Sequence, residues 1–90
     1  MKISILLPYK EDYSKDYAGA VSIFINGVNK NSKFKSTTKI FGNTIYKNPL
    51  SSNYINIPFE KKFLQSSSKI YVKNFINLEK KRNSNIIEIH

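Results

Sequence analysis

Ninety residues, 40% hydrophobic and 13% aromatic, bound the chain to at most one globular domain with a modest core. With no cysteine, disulfides, thiolate metal sites and thiol catalysis are excluded, and a single histidine leaves any metal site resting on six scattered carboxylates. The formal net charge of +9 permits an anionic partner without establishing one, and its reliance on lysine rather than arginine argues against bidentate recognition of bases.

The opening "MKISILLPYK" carries a charge and a short apolar run, too short for a signal peptide and ended by Pro8. No stretch approaches the ~20 apolar residues of a membrane span, so the sequence reads as cytoplasmic. "KISILLP" instead predicts a strand buried on both faces. The loop "YKEDYSKDYAG" follows, in which Glu11, Asp12 and Asp16 read as a solvated surface beside lysines rather than as an acid–base pair. From Ala18 the period changes: Val21, Phe24, Ile25 and Val28 fall on one face of a helix. Gly27 inside it costs about 1 kcal/mol relative to alanine, which predicts fraying near "NKNSK".

"STTKIFG" predicts a second strand ending at Gly42, and "NTIYKNPLSS" a loop. "NYINIPF" predicts a third strand, placed at an edge because Pro58 cannot donate a ladder hydrogen bond. The serines at 66–68 offer an N-cap for a second helix, with Tyr71, Phe75 and Leu78 on its apolar face, Val72 and Ile76 close by, and Lys69, Lys73, Lys80 and Lys81 turned outward. Lys80, Lys81 and Arg82 favour the negative end of its dipole. "NIIEI" predicts a fourth strand, with Ile86, Ile87 and Ile89 reading as the middle of a buried one. The order β-α-β-β-α-β implies an α/β domain with a mainly parallel sheet, the opening of a doubly wound, Rossmann-like fold.

Three features point toward ligands. Doubly wound folds bind beyond the carboxyl ends of their strands, where a small residue lets helix N-terminal amides approach an anion. Gly19, flanked by Ala18 and Ala20, fits that position, although neither the dinucleotide fingerprint nor the phosphate-binding P-loop is present, and close helix–strand packing explains a glycine equally well. His90 stands at the carboxyl edge of the last strand, where a lone histidine reads equally as a surface or capping residue. Glu88 shares its strand face and reads as structural. "KIYVKNF" interleaves basic and aromatic residues as nucleic-acid platforms do, but Tyr71 and Phe75 fall four apart on the apolar face and read first as core.

Taken together, "MKISILLP", the small-residue turn "GAVSIFI" and the ending "IIEIH" resemble the N-terminal domain of glycosyltransferase family 4, retaining transferases of the GT-B fold. The resemblance spans the chain in order. It implies that residues 1–90 form a single incomplete Rossmann-like, acceptor-side domain, inactive alone, whose donor-binding C-terminal domain lies elsewhere. It also implies a loop at Ala18, Gly19 and Ala20 near the donor diphosphate and the acceptor, and His90 lining the acceptor side of the cleft, without a catalytic role. No cofactor is implied beyond the nucleotide-sugar donor. The partners would be that donor and a glycan or lipid-linked acceptor, with the lysine-rich surface docked at the inner face of an anionic membrane. Ala-Gly-Ala departs from the paired glycines of many members.

The alternative is a free-standing basic α/β module binding nucleic acid or another anionic partner by charge, with salt-dependent affinity, though no RNP-type motif or helix-turn-helix spacing supports it. A regulatory or flavodoxin-like domain is weaker, because the loop after the first strand lacks the residues those folds use. A sheet stopped at its fourth strand would leave Ile86, Ile87 and Ile89 at an open edge and predicts poor solubility.

Overall fold

In the computed structural model, which describes residues 1–58 and 67–90, the run Ile3–Leu6 forms strand β1 in the interior of a sheet. Helix α1 (Ala20–Lys30) follows, then a 3-10 turn over Lys35–Thr37, strand β2 (Thr38–Gly42) and a short strand β3 (Tyr54–Asn56). Helix α2 (Ser67–Arg82) leads to strand β4 (Ile86–Ile89). The strands lie in the order β3-β2-β1-β4 and every neighbouring pair is parallel. Ile3 is in register with Thr38 on one side and Ile86 on the other, so the chain crosses from one flank of β1 to the other through α2. The described residues thus form an α/β structure with a four-stranded, all-parallel sheet and two helices, compatible with part of a Rossmann-like fold.

Side-chain alternation along β1 sorts the core into two layers. Ile5 and Leu7 pack with Ile25 of α1, Ile40 of β2 and Tyr13 on one face. Leu6 packs with Phe41 of β2, Ile57, and Tyr71 and Phe75 of α2 on the other. β1 is therefore buried on both faces, as its unbroken apolar run predicts. The residues between β2 and β3 form no helix. They lie against the loop after β1 through an isolated antiparallel bridge between Ser14 and Pro49, a Lys15 N–H donating to the Asn48 carbonyl at 2.7 Å, and a 2.7 Å hydroxyl pair between Tyr13 and Ser51.

Two expectations are corrected. The buried face of α1 runs through Ser22, Ile25 and Asn29, with Val21 half-buried, whereas Phe24 and Val28 are 63% and 53% exposed. The helix is turned away from its most apolar stripe because its buried polar groups have partners. Ser22 bonds Glu11, and Asn29 exchanges amide hydrogen bonds with Asn53. The fourth strand, read as a buried one, is exposed along its whole length. It pairs with β1 on one side only, and none of its isoleucines enters either core cluster.

In α2, Tyr71 and Phe75 are buried with Ile70, Leu78 is half-buried, and Lys69, Lys73, Lys80 and Lys81 face outward. Val72 and Ile76 are largely exposed. Of the serines expected to cap this helix, Ser66 lies outside the described residues, while Ser67 and Ser68 are already helical. The helix ends at Asn83, whose φ of 55° is a left-handed conformation that asparagine tolerates. Arg82, the sole arginine, donates to the Ile3 carbonyl at 2.8 Å, the Thr37 carbonyl at 2.6 Å and the Ser4 hydroxyl at 2.9 Å. Its charge thereby clamps the amino edge of the sheet.

Candidate functional site

The carboxyl edge of the sheet is built from the loops that follow β1 and β2 and from the end of β4. Gly19 is the N-cap of α1 and, having no side chain, supplies no cap of its own. Glu11 replaces it. Its Oε2 accepts from the Ser22 backbone N–H at 3.1 Å and from the Ser22 hydroxyl at 2.7 Å. A carboxylate at the first turn satisfies an orphan donor and the positive end of the helix dipole together. A Cβ on Gly19 would lie 2.0 Å from that same oxygen. The small residue thus admits an anion to the helix N-terminus, and in this conformation the anion is the chain's own carboxylate. Ala18 and Ala20 on either side are exposed.

The neighbouring acids also have partners: Asp16 stays on the solvated surface as expected, while Glu11 and Asp12 are half-buried. Asp12 Oδ1 accepts from the Thr44 hydroxyl at 2.7 Å, and its carbonyl accepts from the Gly19 N–H at 3.1 Å. Asp16 Oδ2 accepts from the Asn48 side-chain amide at 3.2 Å. The Thr44–Asp12 and Asn48–Asp16 bonds join the β2–β3 loop to the β1–α1 loop, and the two form one rim.

That rim carries a feature that sequence reasoning missed. Tyr17 and Tyr46 meet with ring centroids 4.7 Å apart and planes 34° from parallel, and Tyr17 is 64% exposed. The Asp16–Asn48 pair lies next to them in both loops. The signal was a tyrosine in each of "DYAG" and "IYKN", legible only once the loops are known to adjoin. His90 arrives from the other flank of β1: its N–H donates to the Leu6 carbonyl at 3.0 Å, and its Nε2 lies 3.6 Å from Glu88 Oε2. The structure therefore places Gly19 and His90 at the ends of strands and loops bordering β1, each with a carboxylate facing it.

Charge is divided between the two edges. Around the carboxyl edge, Lys10, Lys15 and Lys47 are offset by Glu11, Asp12, Asp16 and Glu88. The helices run back to the amino edge, where α1 ends on Lys30, the turn after it brings Lys33 and Lys35, β2 carries Lys39, and α2 ends in Lys80 and Lys81. The one carboxylate among the described residues there, Glu79, is buried.

The aromatic side chains of "KIYVKNF" are interior. Burial raises the Tyr71 phenol well above its ordinary value, with Tyr54 adding to the shift, and its hydroxyl donates to the Leu7 carbonyl at 2.6 Å. Phe75 packs edge-on against Phe41. Neither ring offers a face to a base. Among the described residues, no group of three or more histidines and acids is arranged to hold a metal ion, and no helix is long and apolar enough to cross a membrane. Comparison with family models, curated proteins and solved structures finds no match to the chain.

Proposed function

We propose that the chain is the acceptor-side part of a sugar-nucleotide-dependent retaining glycosyltransferase, with its saccharide acceptor lying against the Tyr17–Tyr46 rings. The observation that carries this reading is the ring pair at the carboxyl edge, an exposed Tyr17 against a half-buried Tyr46, with Asp16 and Asn48 beside it. Sugars present C–H-rich faces that stack on aromatic planes, and their hydroxyls need acceptors and donors at the rim, which a carboxylate and an amide supply. The resemblance of "MKISILLP", "GAVSIFI" and "IIEIH" to family 4 transferases supplies the reaction class.

In this reading the Gly19 turn faces the donor diphosphate, with Glu11 swung aside, and His90 borders the acceptor. Transfer relies on positioning and on stabilisation of diphosphate charge in a cleft completed by a donor-binding domain. Titration of the full-length gene product with UDP- and GDP-linked sugars is the test. Donor binding together with glycan binding that weakens on Tyr17→Ala is the expected result, and failure to bind any nucleotide sugar removes the transferase reading.

A further inference from the structure

A groove of about 500 Å³ opens at the amino edge of the sheet, lined by Lys33, Lys35, Ser36, Lys39, Ser52 and Asn53. Among the described residues, three cations and no carboxylate line it. The backbone that carries Lys33 and Lys35 is shaped by the turn after α1, where the Lys35 N–H donates to the Ser32 carbonyl at 3.3 Å and the Phe34 N–H to the Ser32 hydroxyl at 3.1 Å. Lys39 comes from the opposite wall, on β2, beside Asn53, whose carbonyl accepts from the Ile40 N–H at 3.0 Å. The Asn53 side chain is spent on Asn29, Ser51 and the Thr38 carbonyl, so the floor of the groove is held rigid from below. The Ser36 and Ser52 hydroxyls have no hydrogen-bond partner among the described residues and remain available as donors.

A solvated helix end would explain Lys30, which already sits in the last turn of α1. It does not explain two further lysines in the next turn that line one groove with a third from the sheet, the Lys33 ammonium resting over the Phe34 ring at 5.2 Å from its centroid. Ammonium groups are point charges with three donors each and suit phosphate oxygens arriving from several directions. The groove falls within the roughly 300–1,000 Å³ range of small-ligand sites.

We propose that this groove binds the phosphate cluster of a multiply phosphorylated ligand, Lys33, Lys35 and Lys39 each taking phosphate oxygens and Ser36 and Ser52 donating to them. The site lies at the end of the sheet remote from the Tyr17–Tyr46 rim and does not depend on the transferase reading.

Calorimetric titration of the chain with inorganic tripolyphosphate tests it, comparing the Lys33→Ala/Lys35→Ala/Lys39→Ala variant with a control, Lys10→Ala/Lys15→Ala/Lys47→Ala, that removes the same charge from the other edge. The expected result is a loss of about tenfold or more in affinity for the groove variant and less than about twofold for the control. Equal losses in both, or no loss in the groove variant, overturn the proposal. Should the groove variant unfold, amide shifts decide the matter in the unsubstituted protein. Shifts concentrated at Ser36, Lys39 and Asn53 support the site, and shifts spread over all lysine-bearing surfaces overturn it. Phosphatidylcholine vesicles with and without a phosphoinositide separate the sources. Phosphoinositide-dependent capture identifies a lipid headgroup, tripolyphosphate binding without capture identifies a soluble ligand, and the absence of both overturns the proposal.

Discussion

The Tyr71 hydroxyl donates to the Leu7 carbonyl at 2.6 Å and ties α2 to the backbone where β1 ends. Both residues are buried, so removing the donor leaves a desolvated carbonyl without that partner. Tyr71→Phe is expected to cost about 1–2 kcal/mol in urea unfolding while leaving the ring packing on Tyr9 intact.

Gly19 has an extended backbone, φ −73° and ψ 164°, that alanine adopts freely. What forbids a side chain is the Glu11 carboxylate. Gly19→Ala should therefore cost about 1 kcal/mol, the value of the displaced cap. In a Glu11→Ala background the same change should be neutral or stabilising by about 0.5 kcal/mol. A double-mutant cycle measures the difference, and additive effects would show that the two residues do not compete for one space.

The rotation of α1 makes adjacent residues unequal. Ile25→Ala removes a side chain that is 3% exposed and should cost about 2–4 kcal/mol. Phe24→Ala, on the open face, should stay within about 0.5 kcal/mol. Gly27 sits in the same helix with open space where a Cβ would stand, nothing lying within 4 Å of that position, so Gly27→Ala should stabilise by about 1 kcal/mol. Thermal melts of the three variants check the set.

Glu79 sets an acid limit. Burial pushes its carboxyl up, but the nearby Ser4 and Ser84 side chains, the Ser84 N–H donating at 2.7 Å, and the Arg82 charge outweigh it and hold the group below its ordinary value of 4.5. A depressed folded-state pKa adds stability above the unfolded value that is lost as pH falls through the folded one. Unfolding measured from neutrality downward should show the loss beginning near pH 4.5, and Glu79→Gln should flatten that part of the curve.

The open flank of β4 predicts self-association. Ile89 is 73% exposed on a strand with a free edge, and Ile89→Lys should lower concentration-dependent light scattering without unfolding the chain.

What could be read in advance follows from how local each signal is. β1 and β2 are marked by their own apolar and β-branched runs, and the buried rings of α2 by spacing within one helix. The buried face of α1 escapes periodicity because Ser22 and Asn29 are buried through Glu11 and Asn53, partners 11 and 24 residues away. "IIEI" looks alike in a central strand and at an edge, since burial there depends on what lies beside it. The Tyr17–Tyr46 rim and the lysine groove are hidden for the same reason: each joins residues from separate connections.

The parallel pairing of β1 with β4 has a consequence for how the chain is made. β1 leaves the ribosome well ahead of one of its two neighbours, which comes 83 residues later, as the Lys2–Asn85 hydrogen bond beside that pairing marks. The interior strand must wait half-paired until β4 has been synthesised, and the closure that follows joins segments from opposite ends of the fold. Folding is therefore expected to be slow for a sheet of this size, with the flank of β1 that β4 covers open to other partners in the interval.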